Sequence, residues 1–175
     1  MLTLSGEHIK LRALEPSDID FLLAIENNED LWHLSYTNQP FSRHILMKYI
    51  ENANQDIYQA KQLRLVISDE KNTPLGLIDL YDFDFQNKRA GVGIIVDLNH
   101  RRKGYAIEAL NLVCKYAFTR LELHQLFASI NHGNESSKHL FEQAGFSQTS
   151  VKKEWNFIGG KFYDEYFYQK INYVH

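Results

Sequence analysis

The stretch that most limits the fold lies between residues 94 and 130. A short apolar run, Ile94-Ile95-Val96, gives way to a basic loop, Arg101-Arg102-Lys103-Gly104. A single amphipathic segment follows, from about Gly104 to Leu121, with Ile107, Leu110, Cys114, Ala117 and Leu121 on one stripe. A second buried-looking run, Gln125 to Ile130, comes next. Strand, long helix, strand is a crossover unit, and a crossover makes its two strands parallel. Few folds place one such unit among strands that are otherwise joined by hairpins.

Most of the other strands are joined by hairpins. His8 to Ala13 alternates like a strand, and Pro16 sits where a helix would begin, followed by Asp18, Asp20 and the apolar residues Ile19, Phe21, Leu22, Leu23 and Ile25. Ser42 is placed to cap a second helix with the stripe Leu46, Tyr49, Ile50, Ala53. Leu63–Ile67, Leu75–Phe85 and Ala90–Val96 read as three strands linked by polar turns. After the crossover, Asn134 opens a short helix that ends at Gly145-Phe146, and two aromatic strands close the chain around Gly159-Gly160. The expected order is β-α-α-β-β-β-α-β-α-β-β. That predicts an α/β chain with a mixed, mostly antiparallel sheet flanked by helices, as one domain over residues 1–175.

Composition removes several functions. The charge over 175 residues is −3, so the chain as a whole offers no basic face for a nucleic acid and favours small, if anything cationic, molecules. A single cysteine, Cys114, makes no internal disulfide, and on a helix stripe it reads as a small core residue. The histidines show no metal-ligand spacing, so no metal site is expected. No run approaches the ~20 apolar residues that span a bilayer, and the first residues lack the pattern of a signal peptide. The expected setting is cytoplasmic, without a membrane partner.

The crossover loop carries the chemistry. A helix start leaves about four backbone N–H groups without partners and is the positive end of the helix dipole. Three cations surround those donors here, Gly104 lets a ligand approach the backbone, and Ala106 keeps the next turn uncluttered. This suits an anion, above all a pyrophosphate. The spacing matches neither a P-loop nor a dinucleotide-binding glycine pattern. A solvated basic loop is the plain alternative.

Two motifs together resemble the GNAT superfamily of acetyl-CoA-dependent N-acetyltransferases. Arg101-x-x-Gly104-x-Ala106 matches its acyl-CoA signature, and Asn134-x-x-Ser137-x-x-Leu140-Phe141-x-x-x-Gly145-Phe146 matches its second block. The resemblance runs from Ile9 to about Tyr173. It is nearest to bacterial spermidine N-acetyltransferases, with ribosomal-protein acetyltransferases close by. It implies a GNAT acyl-CoA N-acyltransferase fold with splayed parallel strands in the middle of the sheet. It implies acetyl-CoA as co-substrate and a primary amine, a polyamine or other small amine, as acceptor. The pantetheine arm would lie along Ile94, Ile95 and Val96. The pyrophosphate would sit on backbone N–H groups of Arg101, Arg102, Lys103, Gly104, Tyr105, Ala106 and Ile107. Asn134 would hold the pantetheine end or a water, and its helix, with Lys138 and Phe141, would line the thiol end.

The chain departs from those relatives at three places. They carry a tyrosine, taken as the acid, where this chain has Phe141, which has no proton to give. They carry a polyamine-contacting glutamate at the position of Gly91. Their acidic loop after the first helix is here Trp32 to Pro40, without an acid. The remaining carboxylates on the middle strand are Asp79, Asp82 and Asp84; alternation puts Asp82 and Asp84 on one face, opposite Tyr81, Phe83 and Phe85. Asp82 and Asp79 are the candidate catalytic carboxylates, with a solvated strand face as the plain alternative. His132 reads as a loop histidine or a relay, and Glu108 as a solvent-facing helix residue. The rival functions are protein acetylation, N-terminal or lysine, and a non-catalytic CoA-binding regulatory module. The aromatic closing hairpin is expected to flank the acceptor side and could mediate a homo-oligomer.

Overall fold

The computed structural model describes residues 4–35, 37–53 and 55–174. One seven-stranded sheet runs through it, in the order β1-β2-β3-β4-β5-β7-β6. The strands are β1 (Lys10–Ala13), β2 (Leu63–Ser68), β3 (Pro74–Asp84), β4 (Arg89–Val96), β5 (Gln125–Asn131), β6 (Ser147–Ile158) and β7 (Lys161–Ile171). The helices are α1 (Ile19–Glu26), α2 (Glu29–Ser35), α3 (Arg43–Asn52), α4 (Ile57–Ala60), α5 (Tyr105–Thr119) and α6 (Glu135–Gln143). The expected element order holds, with α2 and α4 as additions too short to announce themselves by periodicity. Four of the residues expected as the Trp32–Pro40 loop belong instead to α2, and Trp32 Nε1 donates to the Glu26 carbonyl at 2.8 Å. Tyr36, also within that span, lies outside the described residues.

Each face of the sheet has its own core. On one, Leu65, Ile67, Ile78, Leu80, Val92, Leu126, Ala128 and Ile130 pack under α5 with Leu110, Val113, Cys114 and Ala117. On the other, Val66 and Leu77 pack with Leu22, Ile25, Leu46 and Ile50 of α1 and α3. Two-residue alternation along every central strand assigns side chains to one face or the other.

The strands around the crossover do not stay together. Every neighbouring pair is antiparallel except β4 and β5, which run parallel and pair at only three positions: Arg89–Gln125, Ala90–Leu126 and Gly91–Phe127. Beyond them β4 continues along β3 to Val96, and β5 continues along β7 to Asn131. The facing edges of 92–96 and 128–131 therefore have no strand partner, and the sheet opens in a V. This is the splay implied by the resemblance.

A bulge alters the other long strand. Between Tyr81 and Asp84 the β3–β4 register slips, with Asp82 at φ 47°. An extra residue in a bulge reverses the facing of the residues beyond it. Phe83 accordingly enters the α5 core while Tyr81 stays on the opposite face, so the expected single face of Tyr81, Phe83 and Phe85 is not formed.

Candidate active site

A cavity of about 620 Å³ occupies the V and passes between its two arms. Register places Arg64, Asp79, Tyr81, Gly91, Gly93, Ser129, Asn131 and Glu165 on one face of the sheet, and Val92, Ile94 and Ile130 on the other. The residues Asn134, Ser137 and Phe141 of the α6 region reach the cavity from the second face. Trp155 and Asn156 of β6 line it beside Glu165.

The first face is charged. Arg64 donates to Asp79 through Nε and Nη2 (2.8 and 2.9 Å) and to Glu26 through Nη1 (2.7 Å). Burial works against the Arg64 charge, but the Asp79 hydrogen bonds and both carboxylates outweigh it and hold the guanidinium more firmly protonated than usual. Glu165 is almost fully buried and accepts from Asn156 Nδ2 at 3.1 Å, while Lys152 Nζ lies 3.4 Å away. Among the described lining residues three carboxylates face one guanidinium, with Lys152 paired to Glu165 from outside the lining. Such a wall attracts a cation.

At the other end, α5 begins at Gly104 with φ 81°, preceded by Arg102 at φ 62°. No side chain caps its first turn, and a Cβ on Gly104 would meet nothing within 4 Å. The surrounding Arg101, Arg102 and Lys103 are exposed, although Arg101 Nε folds back to the Val96 carbonyl at 3.1 Å. Open backbone donors, a positive dipole end and cations make a fitting seat for a diphosphate. The unpaired backbone of the V leads from there into the cavity.

The residues singled out from sequence fall into two groups. Asp79, Ile94, Ile95, Asn134 and Phe141 line the cavity. Val96 is buried, and 101–107 form the α5 start just described, outside the lining residues. Asn134 caps α6, with Oδ1 accepting from Ser137 N and Ser136 Oγ at 3.2 Å, which leaves its amide NH2 as the group that could meet a ligand. Lys138 is not among the lining residues: its Nζ pairs with Glu135 at 3.1 Å and lies 4.1 Å above the Tyr166 ring. Asp82 stands exposed in the bulge, away from the lining, and Asp84 holds the following turn through Asn87 and Arg89. Their expected shared face is broken by the slip in register. Asp79 is in the wall but committed to Arg64. His132 is exposed and meets Tyr166 Oη at 3.2 Å and the Tyr163 ring. Cys114 is buried, and burial pushes its thiol up to about 11, as suits a core residue.

Glu108 is not a solvent-facing residue. Its Oε1 accepts from His8 N (2.9 Å) and Ile9 N (3.4 Å), and a Cβ on Gly6 would fall 2.1 Å from that oxygen. Burial raises its pKa, but those N–H donors outweigh burial and hold the carboxyl below its usual range. Sequence pattern also failed to mark Glu26, Arg64, Ser129, Asn131, Asn156 and Glu165 as site residues. Charged residues at alternate positions of otherwise apolar strands, Arg64 on β2 and Asp79 on β3, were the available signal.

The family model described as "Acetyltransferase (GNAT) domain" matches residues 8–147. The chain belongs to the GNAT acetyltransferase family. Within it, the spermidine N(1)-acetyltransferase of Vibrio cholerae is 29% identical over 160 residues, covering 91% of this chain and 90% of the relative. The Bacillus subtilis protein named putative ribosomal N-acetyltransferase YdaF is 27% identical over 176 residues, covering 95% and 92%. The crystal structure of the Vibrio cholerae spermidine N-acetyltransferase with CoA and spermine superimposes with a TM-score of 0.84 at 26% identity, covering 93% of this chain and 95% of that one. This GNAT protein is thus an N-acetyltransferase with acetyl-CoA as co-substrate. No helix among the described residues is long and apolar enough to cross a membrane.

Proposed function

We propose that this enzyme transfers acetyl from acetyl-CoA to the primary amine of a small cationic acceptor of polyamine type, by direct attack on the thioester. The observation that carries this reading is the charge of the cavity wall, where Glu26, Asp79 and Glu165 outnumber Arg64 and the Lys152 paired with Glu165. A relative solved with spermine and CoA supports the same acceptor class. In this reading the first turn of α5 holds the diphosphate, and the free edge of Gly93–Ile95 takes the pantetheine amides. Backbone N–H groups at that edge face the carbonyl oxygen as it becomes an oxyanion. Glu165 draws the ammonium into place, and the proton it must lose before attack leaves through the polar wall to water.

Incubation with acetyl-CoA and an amine panel including spermidine and spermine, followed by CoA release, tests the reading. Turnover of polyamines above monoamines and above peptides with free N-termini is expected; no turnover on any small amine overturns it. Glu165→Gln should raise the KM for a polyamine by about tenfold, a loss of about 1.4 kcal/mol, while leaving that for acetyl-CoA in place.

Assembly belongs to the same proposal. Phe157, Ile158 and Phe162 near the tip of the β6–β7 hairpin are exposed, and a second copy of the chain would cover them. One relative is described as a dodecamer. Mass measurement in solution, with Phe157→Ser as the disrupting variant, tests this.

A further inference from the structure

We propose that Tyr81 is the proton donor of the reacting centre, in place of a hydroxyl at position 141. The inference rests on the acetyl-transfer reading above and assigns a residue within it.

Tyr81 lies where the two arms of the V separate. It pairs across β3–β4 with Gly91, and Gly91 pairs with Phe127 at the last rung before the strands part. A Cβ on Gly91 would come within 2.4 Å of Cε2 and Cζ of Tyr81 and 2.9 Å of Cε2 of Phe127. The phenol ring therefore lies directly on the glycine, in space that any side chain there would occupy. It continues toward Gly93, where a Cβ would stand 3.9 Å from Tyr81 Cε1. Phe127 meets the ring edge-on, with centroids 5.8 Å apart, and stacks in turn on Phe167 at 5.5 Å. The ring is thus fixed in direction, and its hydroxyl is turned across the opening toward Ser129 of β5.

The cavity has little else that can give a proton. Its other titratable groups among the described residues are the three carboxylates and Arg64, whose proton those carboxylates hold. Phe141, buried on the far wall against Phe146, has no hydroxyl. Burial, with Asp82 and Glu165 adding to it and Ser129 opposing, pushes the Tyr81 hydroxyl up to about 12. It is therefore protonated throughout the neutral range.

The step balances without another reagent. The amine lone pair forms the N–C bond, and the C–S bond breaks with its electron pair going to sulfur. Sulfur takes the Tyr81 proton, and the phenolate recovers a proton from the one that nitrogen sheds on becoming an amide. The products are one amide and one thiol.

Tyr81→Phe keeps the ring on Gly91 and removes only the hydroxyl. It should lower kcat by about 100-fold or more with the acetyl-CoA KM nearly unchanged, a split that loss of packing would not give. Adding Phe141→Tyr to that variant should restore kcat by about tenfold or more, as expected for general-acid catalysis. Gly91→Ala, which displaces the ring, should reproduce the loss of kcat. Full activity of Tyr81→Phe overturns the inference and leaves the acetyl-transfer reading standing. So does a gain of about tenfold or more from Phe141→Tyr in the otherwise unaltered chain, since it would mean that an acid was missing. An unaltered enzyme inactive toward every amine overturns both.

Discussion

Helix α5 and helix α6 begin in opposite ways, although both follow a strand of the central V. At α6 the side chain of Asn134 accepts from Ser137 N and closes the first turn from within. Ser42 does the same for α3 and Asp56 for α4. At α5 the capping position is a left-handed glycine with no side chain to offer, and three cations surround it. A protein ordinarily satisfies the N–H groups of a helix start with its own atoms. This chain closes three starts this way; α1 follows directly on a 3₁₀ turn without a side-chain cap of its own, and the longest helix, α5, is left open where we place the diphosphate of the co-substrate. The contrast between α6 and α5 is thus between a start closed from within and an open one beside three cations.

The contrast can be broken at several points. The largest effect is expected where a cap is a buried charge. Asp18, which accepts from Glu15 N (2.8 Å) at the turn ahead of α1, is also gripped by Arg12 Nη1 and Nη2 (2.8 and 2.9 Å). Asp18→Asn leaves Arg12 without its counter-charge and should lower unfolding stability by about 3–5 kcal/mol. Denaturant melts of the two proteins check this, and equal midpoints would dismiss the pair as a stabiliser. Burial raises the Asp18 pKa, but Arg12 and the Glu15 N–H more than offset it, so the folded value is below 3.8. A depressed folded pKa gives stability that is complete above the unfolded value and lost as the pH falls through it toward the folded one. Acid unfolding should therefore begin below about pH 4, and Asp18→Asn should remove that part of the slope.

Gly104→Val should act next, and on a different quantity. It forces a β-branched residue to φ 81° and places atoms where the diphosphate would lie. We expect acetyl-CoA affinity to fall by about 100-fold, about 2.7 kcal/mol, by calorimetry. Unchanged affinity would show that the open start is not the seat. Asn134→Ala should cost about 1 kcal/mol of stability, read as a lower thermal midpoint. Its effect on acetyl-CoA affinity should be far smaller than that of Gly104→Val; the reverse ranking would undo the comparison. Ser42→Ala, remote from the cavity, should cost a similar ~1 kcal/mol with no change in KM for either substrate.

Much of this arrangement was legible in the sequence, and the limits are physical. The crossover, its parallel strands and the glycine at the head of α5 were visible because they are local: a period of two, a loop, then a period of 3.6. The caps at Ser42 and Asn134 were visible for the same reason. The charged wall was not, because Glu26, Arg64, Asp79 and Glu165 come from four elements and meet only through sheet register and the packing of α1. The bulge at Asp82 was hidden as well. Strict alternation cannot see an inserted residue, so Asp82 was assigned to the site while Tyr81, three positions from Asp84, remained only an aromatic face residue. Gly91 read as a carboxylate lost, whereas in three dimensions it is the floor on which a phenol rests.

Glu108 ties the segment ahead of β1 to the helix turn where we place the diphosphate. Its carboxylate holds the amides of His8 and Ile9, and its own N–H donates to the Gly104 carbonyl at 3.2 Å. One residue thus links the α5 start to the segment leading into β1. Amide exchange at His8 and Ile9 should slow when acetyl-CoA binds, so the residues just ahead of β1 would report on occupancy of the α5 start.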